Sequence, residues 1–261
     1  MTNLGLKLYS NQLERYKNEV IKLIEDNKFS YIELFVHPDS LEYLNGWKNF
    51  QKEFDLKFTL HAPHFSNGVN LADKDFEKRN IEVYEQVKQF KEELNAKYII
   101  IHGGIEGSID ETVRQLDLIN PPDMRIENKP PVSPRMRDKH CRGAKLEEIK
   151  FIIDRHPCKF CLDVGHAFCS AVMFGVEQFE YLKQFEQLTP DCYHLSDGDF
   201  ESHIDIHYHI GKGDYDWERV FSIIDTTKNM TLETVKKDGI ESLELFSQDV
   251  DEVNNLLCLK K

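Results

Sequence analysis

KFTLHAPHFSNGVNLADKDFEKRNIEVYEQVKQFKEELNAKYIIIHGG, residues 57–104, decides the fold. It opens with a short apolar strand, KFTLH (57–61). It passes through DFEKRNIEVYEQVKQFKEELN (75–95), whose apolar residues recur at threes and fours, and ends in a second apolar strand, KYIIIH (97–102). A strand, a long helix and a strand in that order make a parallel β-α-β unit. The same rhythm extends in both directions, with strands LGLKLY (4–9) and YIELFV (31–36) before it. MRIE (124–127), KFCLD (159–163), CYHL (192–195) and MTLE (230–233) follow it. SLELF (242–246) competes for the last strand, but Ile240, Leu243, Phe246, Val250, Val253 and Leu257 have helical spacing, so MTLE is the strand. Eight such units in 261 residues point to an α/β protein with one (β/α)8 barrel domain over 1–261. An open doubly wound sheet would carry a Gly-rich turn after its first strand, and LKLYSNQ has none.

The chain is 40% hydrophobic and 30% charged, with no apolar run near the roughly 20 residues of a membrane span, so no membrane partner is expected. MTNLGLKLYS lacks a basic and apolar leader, and a cytoplasmic location is expected. Six cysteines without such a leader read as reduced thiols. The lone CxxC, CKFC at 158–161, has no second pair with which to build a zinc site. The net charge of −13 opposes broad attraction to DNA. One segment runs against it: residues 128–145 carry Lys129, Arg135, Arg137, Lys139, Arg142 and Lys145 against Asp138 alone, either as a solvated loop or as an anion-binding lid. The residues name no protein partner.

Acids and histidines collect at the carboxyl ends of the strands. His61, His102, Glu127, Asp163 and Glu233 end strands three, four, five, six and eight, and His194 lies in strand seven. His166 follows in LDVGHAF, and Asp205 and His207 sit on the loop after strand seven. In a barrel those ends meet in one cup. Several carboxylates that close together repel unless cations intervene. Mixed imidazole and carboxylate ligands suit zinc first, then manganese or iron.

In order and wording, LHAPHF, IIHGG, IEN, LDVGHAF, HLSD, DIHYHIGKG and TLET resemble the endonuclease IV family, within the xylose isomerase-like barrels. The resemblance runs from about residue 57 to 235, and DxHxxIGxG with the preceding HLxD is its most specific part. It implies up to three zinc ions. Glu127, Asp163, His194 and Glu233 would hold the first. His61 and His102, with Glu127 bridging, would hold the second, and His166, Asp205 and His207 the third. The implied activity is hydrolysis of a phosphodiester at abasic sites in DNA, or of a related phosphoester, with Glu127 holding the attacking hydroxide as the catalytic residue. Mononuclear sugar or sugar-phosphate isomerases and epimerases resemble only the first set, and this chemistry is the alternative.

Departures from the family bear on the substrate. HAPHF and the longer SNGVNLAD replace the usual HAPY and bulky residue, and HPDSLEYLNGW lacks a basic DNA-reading residue. With the charge, these count against duplex DNA. His64, Arg135, Arg137 and Arg142 are candidate substrate contacts. His209 occupies the variable position of the motif and is expected behind the ligands or against substrate. Glu33 and His37, near the end of strand two, face either the cup or the barrel rim. Gly211 and Gly213 are expected to turn the chain into the helix at DYDWERVF.

Overall fold

The structure, a computed structural model, describes residues 3–133, 136, 138–234 and 243–258. Its strands are β1 (Leu4–Tyr9), β2 (Tyr31–Phe35), β3 (Phe58–His61), β4 (Ile99–His102), β5 (Met124–Glu127), β6 (Lys159–Asp163), β7 (Cys192–Leu195) and β8 (Asn229–Leu232). Each pairs in parallel with the next, and β1 pairs with β8, so the barrel closes in sequence order. The helices that wrap it include α1 (Leu13–Glu25), α2 (Leu44–Phe54), α3 (Glu77–Glu93), α4 (Ile109–Ile119) and α5 (Leu146–Arg155). They continue with α6 (Val164–Phe174), α7 (Gln178–Glu186), α8 (Trp217–Ile223) and α9 (Glu244–Cys258). The α/β barrel expected from the strand rhythm is therefore the fold. MTLE supplies the last strand, which stops at Leu232, while α9 begins inside SLELF.

Strand alternation divides the side chains between two environments. Leu4, Leu6 and Leu8 of β1 point outward and are buried beneath the helices, as are Ile99 and Ile101 of β4. The alternate residues fill the bore. Gly5 leaves room there for Tyr31, whose ring would lie 2.4 Å from an added Cβ. Tyr31 and Thr231 then share a 2.9 Å hydrogen bond, and Thr231 donates to Glu33 at 2.9 Å, forming a polar floor beneath the cup.

Local signals end the strands where the cup begins. Asp163 closes β6 and caps α6 at once, its Oδ1 accepting the His166 N–H at 2.8 Å. Ser108 caps α4 by accepting from Glu111 at 3.1 Å, and Asn120 ends that helix in the left-handed region at φ 40°. Asp197 organises the loop after β7, accepting from Gly211, Tyr215 and the Trp217 indole at 2.8, 3.3 and 3.0 Å. Gly211 (φ 74°) and Gly213 make the turn into α8, as their spacing suggests.

All six cysteines are unpaired. Cys158 is buried just before β6, and Cys161 lies inside the bore beside Cys192. No helix among the described residues is long and apolar enough to cross a membrane.

Candidate metal centre

Strand register builds the site. His102 and Glu127 are direct partners across β4 and β5, as are Asp163 and His194 across β6 and β7. Glu127 is buried at the centre and divides its oxygens. Oε2 lies 3.2 Å from His61 Nε2 and 3.0 Å from His102 Nε2, while Oε1 meets the Lys129 ammonium at 3.2 Å. Burial alone would raise the Glu127 pKa. The Lys129 charge first, with the contacts of the His102 and His194 rings, outweighs it and holds the carboxyl well below the usual range.

Three histidines share a telling arrangement. The Nδ1–H of His61 donates to the Ala62 carbonyl at 2.8 Å, that of His166 to the Asn128 carbonyl at 2.8 Å, and that of His207 to the Glu233 carbonyl at 2.6 Å. A carbonyl only accepts, so Nδ1 carries the hydrogen in each ring. Nε2 then faces a carboxylate: Glu127 for His61, and Asp205 Oδ2 for His166 (3.3 Å) and His207 (2.6 Å). A neutral ring so held directs a lone pair at an anion and calls for a proton or a metal between them. This pinning of the remote nitrogen is how proteins orient metal-binding imidazoles.

The groups differ in how they resolve that demand without metal. Burial opposes charge on His166 and His207, but Asp163 and Asp205 carry the first up to about 10, and Asp205 carries the second to about 9. Burial instead dominates at His61 and His102, helped by Lys7 at the first and Lys129 at the second, and lowers both. His102 Nδ1 and Asp163 Oδ2 are buried without hydrogen-bond partners. Tetrahedral zinc with bonds of about 2.0–2.1 Å separates its ligand atoms by about 3.3 Å, close to the 3.0–3.3 Å between most of these imidazole and carboxylate atoms. The donor set therefore fits divalent metal.

Ligand atoms within 4.8 Å of one another form four groups among the described residues. His61, His102 and Glu127 make one and His166, Asp205 and His207 another, the sets that the resemblance assigns to the second and third ions. The four residues expected around the first metal divide: Asp163 joins Glu127 and His166, whereas His194 and Glu233 join Glu33 and His61. His194 links Glu33 to the centre. Its Nε2 meets Glu33 Oε2 at 3.1 Å, and its Nδ1 lies 2.8 Å from Glu233 Oε1 and 3.5 Å from Glu127 Oε2. Two buried lysines also enter the cup, unanticipated from the sequence. Lys7 bonds Glu233 Oε1 and lies 3.4 Å from Glu33 Oε1, and Lys129 lies 3.4 Å from His102 Nε2.

A cavity of about 750 Å³ opens above these groups. Tyr9, Phe35, His37 and His64, in ring contact with one another, line it together with Gln12, Arg15, Lys129, Ser133 and Cys141. His64 stacks on His102 with centroids 4.9 Å apart, and Ser66 bonds its Nδ1 at 3.1 Å.

Two expected substrate contacts are directed elsewhere. Arg142 donates to the Glu106 and Gly107 carbonyls at 2.7 Å each and pairs with Glu148 at 3.0 Å, so its guanidinium clamps the loop after β4. His209 turns to α9, its Nδ1 2.8 Å from Asp249 Oδ2, and does not line the cavity. The carboxylate that attracts it is 40 residues away in sequence. Arg135 and Arg137 lie outside the described residues.

No family model matches the chain. Over 93% of its length and 90% of the other's, it is 22% identical to an uncharacterized protein of Methanocaldococcus jannaschii. It is 30% identical over 195 residues to apurinic-apyrimidinic endonuclease 1 of Plasmodium berghei, covering 67% of this chain and 38% of that protein. Among solved structures, a D-tagatose 3-epimerase-like protein superposes with a TM-score of 0.73 at 16% identity, covering 98% of this chain and all of the other. A Thermus thermophilus protein soaked with ZnCl2 gives 0.62 at 17% identity over 96% and 98% of the two chains. At these identities the structural likenesses establish the architecture alone: the chain shares a (β/α)8 barrel fold with these proteins.

Proposed function

We propose that the protein is a metal-dependent phosphoesterase with a polynuclear centre. The observation that carries this reading is the His166–Asp205–His207 group, set beside the His61–His102–Glu127 group, with every imidazole but His102 pinned through Nδ1. The partial likeness to an apurinic-apyrimidinic endonuclease supports it. A mononuclear isomerase has no use for the added group.

His61, His102 and Glu127 would hold one divalent metal, and His166, Asp205 and His207 another, with zinc the best match to the donors. Bound there, the metals would supply Lewis acidity and an activated water for attack on phosphorus. The chain's own groups prepare the rest. Asn128 clasps Asp163 on both backbone groups, accepting from its N–H at 2.7 Å and donating to its carbonyl at 2.9 Å. That keeps the centre rigid. Lys129 borders the cavity with its ammonium against Glu127, where incoming phosphoryl oxygens would find a fixed positive charge. His64, uncharged because burial above all, with the nearby Lys129 charge, holds its pKa well down, offers a neutral hydrogen bond at the wall.

The aromatic wall of the cavity and the net charge of −13 favour a small or single-stranded phosphoester over a duplex. Zinc-loaded protein should hydrolyse a phosphodiester reporter or a single-stranded oligonucleotide with one abasic site faster than the matching duplex. Glu127→Gln should lose nearly all of this activity. Absence of hydrolysis on all three substrates would sink the reading.

A sugar epimerase is the second reading, favoured by one observation: Glu233 and Glu127 approach the same His194 nitrogen, at 2.8 and 3.5 Å, as two carboxylates shuttling a proton about one metal would. Metal-dependent exchange of a ketose C3 hydrogen in deuterated water, with no phosphoester cleavage, would select it.

A further inference from the structure

Resting on the polynuclear reading, we propose that Lys7 is the resident cation of the Glu33–His194–Glu233 corner, so that the centre takes two divalent metals and not three. Lys7 sits in the middle of β1, directly across from Glu33 of β2 in the sheet register, on the face of the strand that points into the bore. From there its ammonium bonds Glu233 Oε1 and lies 3.4 Å from Glu33 Oε1. His194 Nδ1 approaches the same Glu233 oxygen at 2.8 Å. A divalent ion taking ligands from these three residues would need its centre about 2 Å from each, in the space that the ammonium holds. Two cations so close, with no water between them, repel strongly.

The His61–His102–Glu127 and His166–Asp205–His207 groups leave room for metal, whereas the Glu127–Asp163–His166 group meets through His166 Nδ1, whose hydrogen the Asn128 carbonyl already holds. No lysine approaches the His166–Asp205–His207 group among the ion pairs of the described residues. Lys129 bonds Glu127 through Oε1 and reaches to 3.4 Å from His102 Nε2, but the oxygen on which His61 and His102 converge is Oε2, whereas Lys7 bonds the very Glu233 oxygen that His194 approaches.

Removing the Lys7 charge would free a corner of two carboxylates and an imidazole for a further ion.

The test is a metal count. Wild type, Lys7→Arg and Lys7→Met are saturated with zinc, freed of excess by gel filtration, checked for folding by circular dichroism and assayed by mass spectrometry of the metal. Two equivalents per chain are expected for wild type and Lys7→Arg, and three for Lys7→Met. Three in wild type, or two in folded Lys7→Met, would overturn the role of Lys7 and leave the polynuclear reading standing. One or none in wild type would overturn that reading itself. If Lys7→Met does not fold, the other two proteins decide: two equivalents in both support the proposal, and three in either overturns it.

Discussion

Zinc should enter the two histidine groups with different proton costs. His166 and His207 have pKa values pushed up to about 10 and about 9, mainly by Asp163 and Asp205 acting against burial. At pH 7.5 each ring is therefore more than about 95% protonated, and a metal taking their Nε2 atoms must displace about two protons. His61 and His102 have lowered values and are neutral, so their group releases none. Calorimetric titration with zinc at pH 7.5, in buffers of different ionisation enthalpy, should resolve one event with little proton transfer and one with about two protons released. The second should tighten about 100-fold for each unit of pH between about 6.5 and 8. His207→Ala should reduce its release to about one proton. Binding that releases no protons in any event would refute the charge states and the ligand assignment together.

Three further outcomes follow from the same geometry. In the metal-free protein, His166 and His207 have folded-state values above the ordinary 6.5, so their stabilisation is full below about pH 6.5 and is lost as pH rises through about 9 to 10. Its melting temperature should fall across that window, and zinc should flatten the dependence. His209→Ala removes the 2.8 Å bond to buried Asp249 and should cost about 1.5–3 kcal/mol in denaturant unfolding without changing zinc content; unchanged stability with weakened substrate binding would restore the contact expected from the motif. Gly213→Ala would set a Cβ 2.1 Å from the Gly198 carbonyl and 2.4 Å from Asp197 Oδ1, so it should displace the Asp205–His207 loop and reduce zinc content, and full retention of both metals would show the turn to be more compliant than its packing implies.

The barrel is legible because each strand is a short apolar run and the helical spacing between runs is regular. The choice of MTLE over SLELF rests on that spacing, and α9 follows it. Placing polar residues at the strand ends is enough to gather His61, His102 and Glu127, because parallel strands share a direction and their ends converge. Finer matters depend on angle and distance, which spacing does not carry. Lys7 looks in LGLKLY like a strand lysine of no consequence; its period-two relation to Gly5 and Tyr9 is the available sign that it points into the bore. Lys129 sits in the sequence among the other cations of a basic loop, although it follows Glu127 by only two residues and shares its direction. Arg142 and His209 look from the sequence like substrate contacts, but their partners, Glu106, Glu148 and Asp249, are set by packing of distant segments.

The most direct test is the structure of zinc-loaded crystals with anomalous scattering recorded at the zinc edge. The account requires one peak among His61, His102 and Glu127 and a second among His166, Asp205 and His207. A single peak between His194 and Glu233, with no density at His207, would contradict it and favour the mononuclear epimerase.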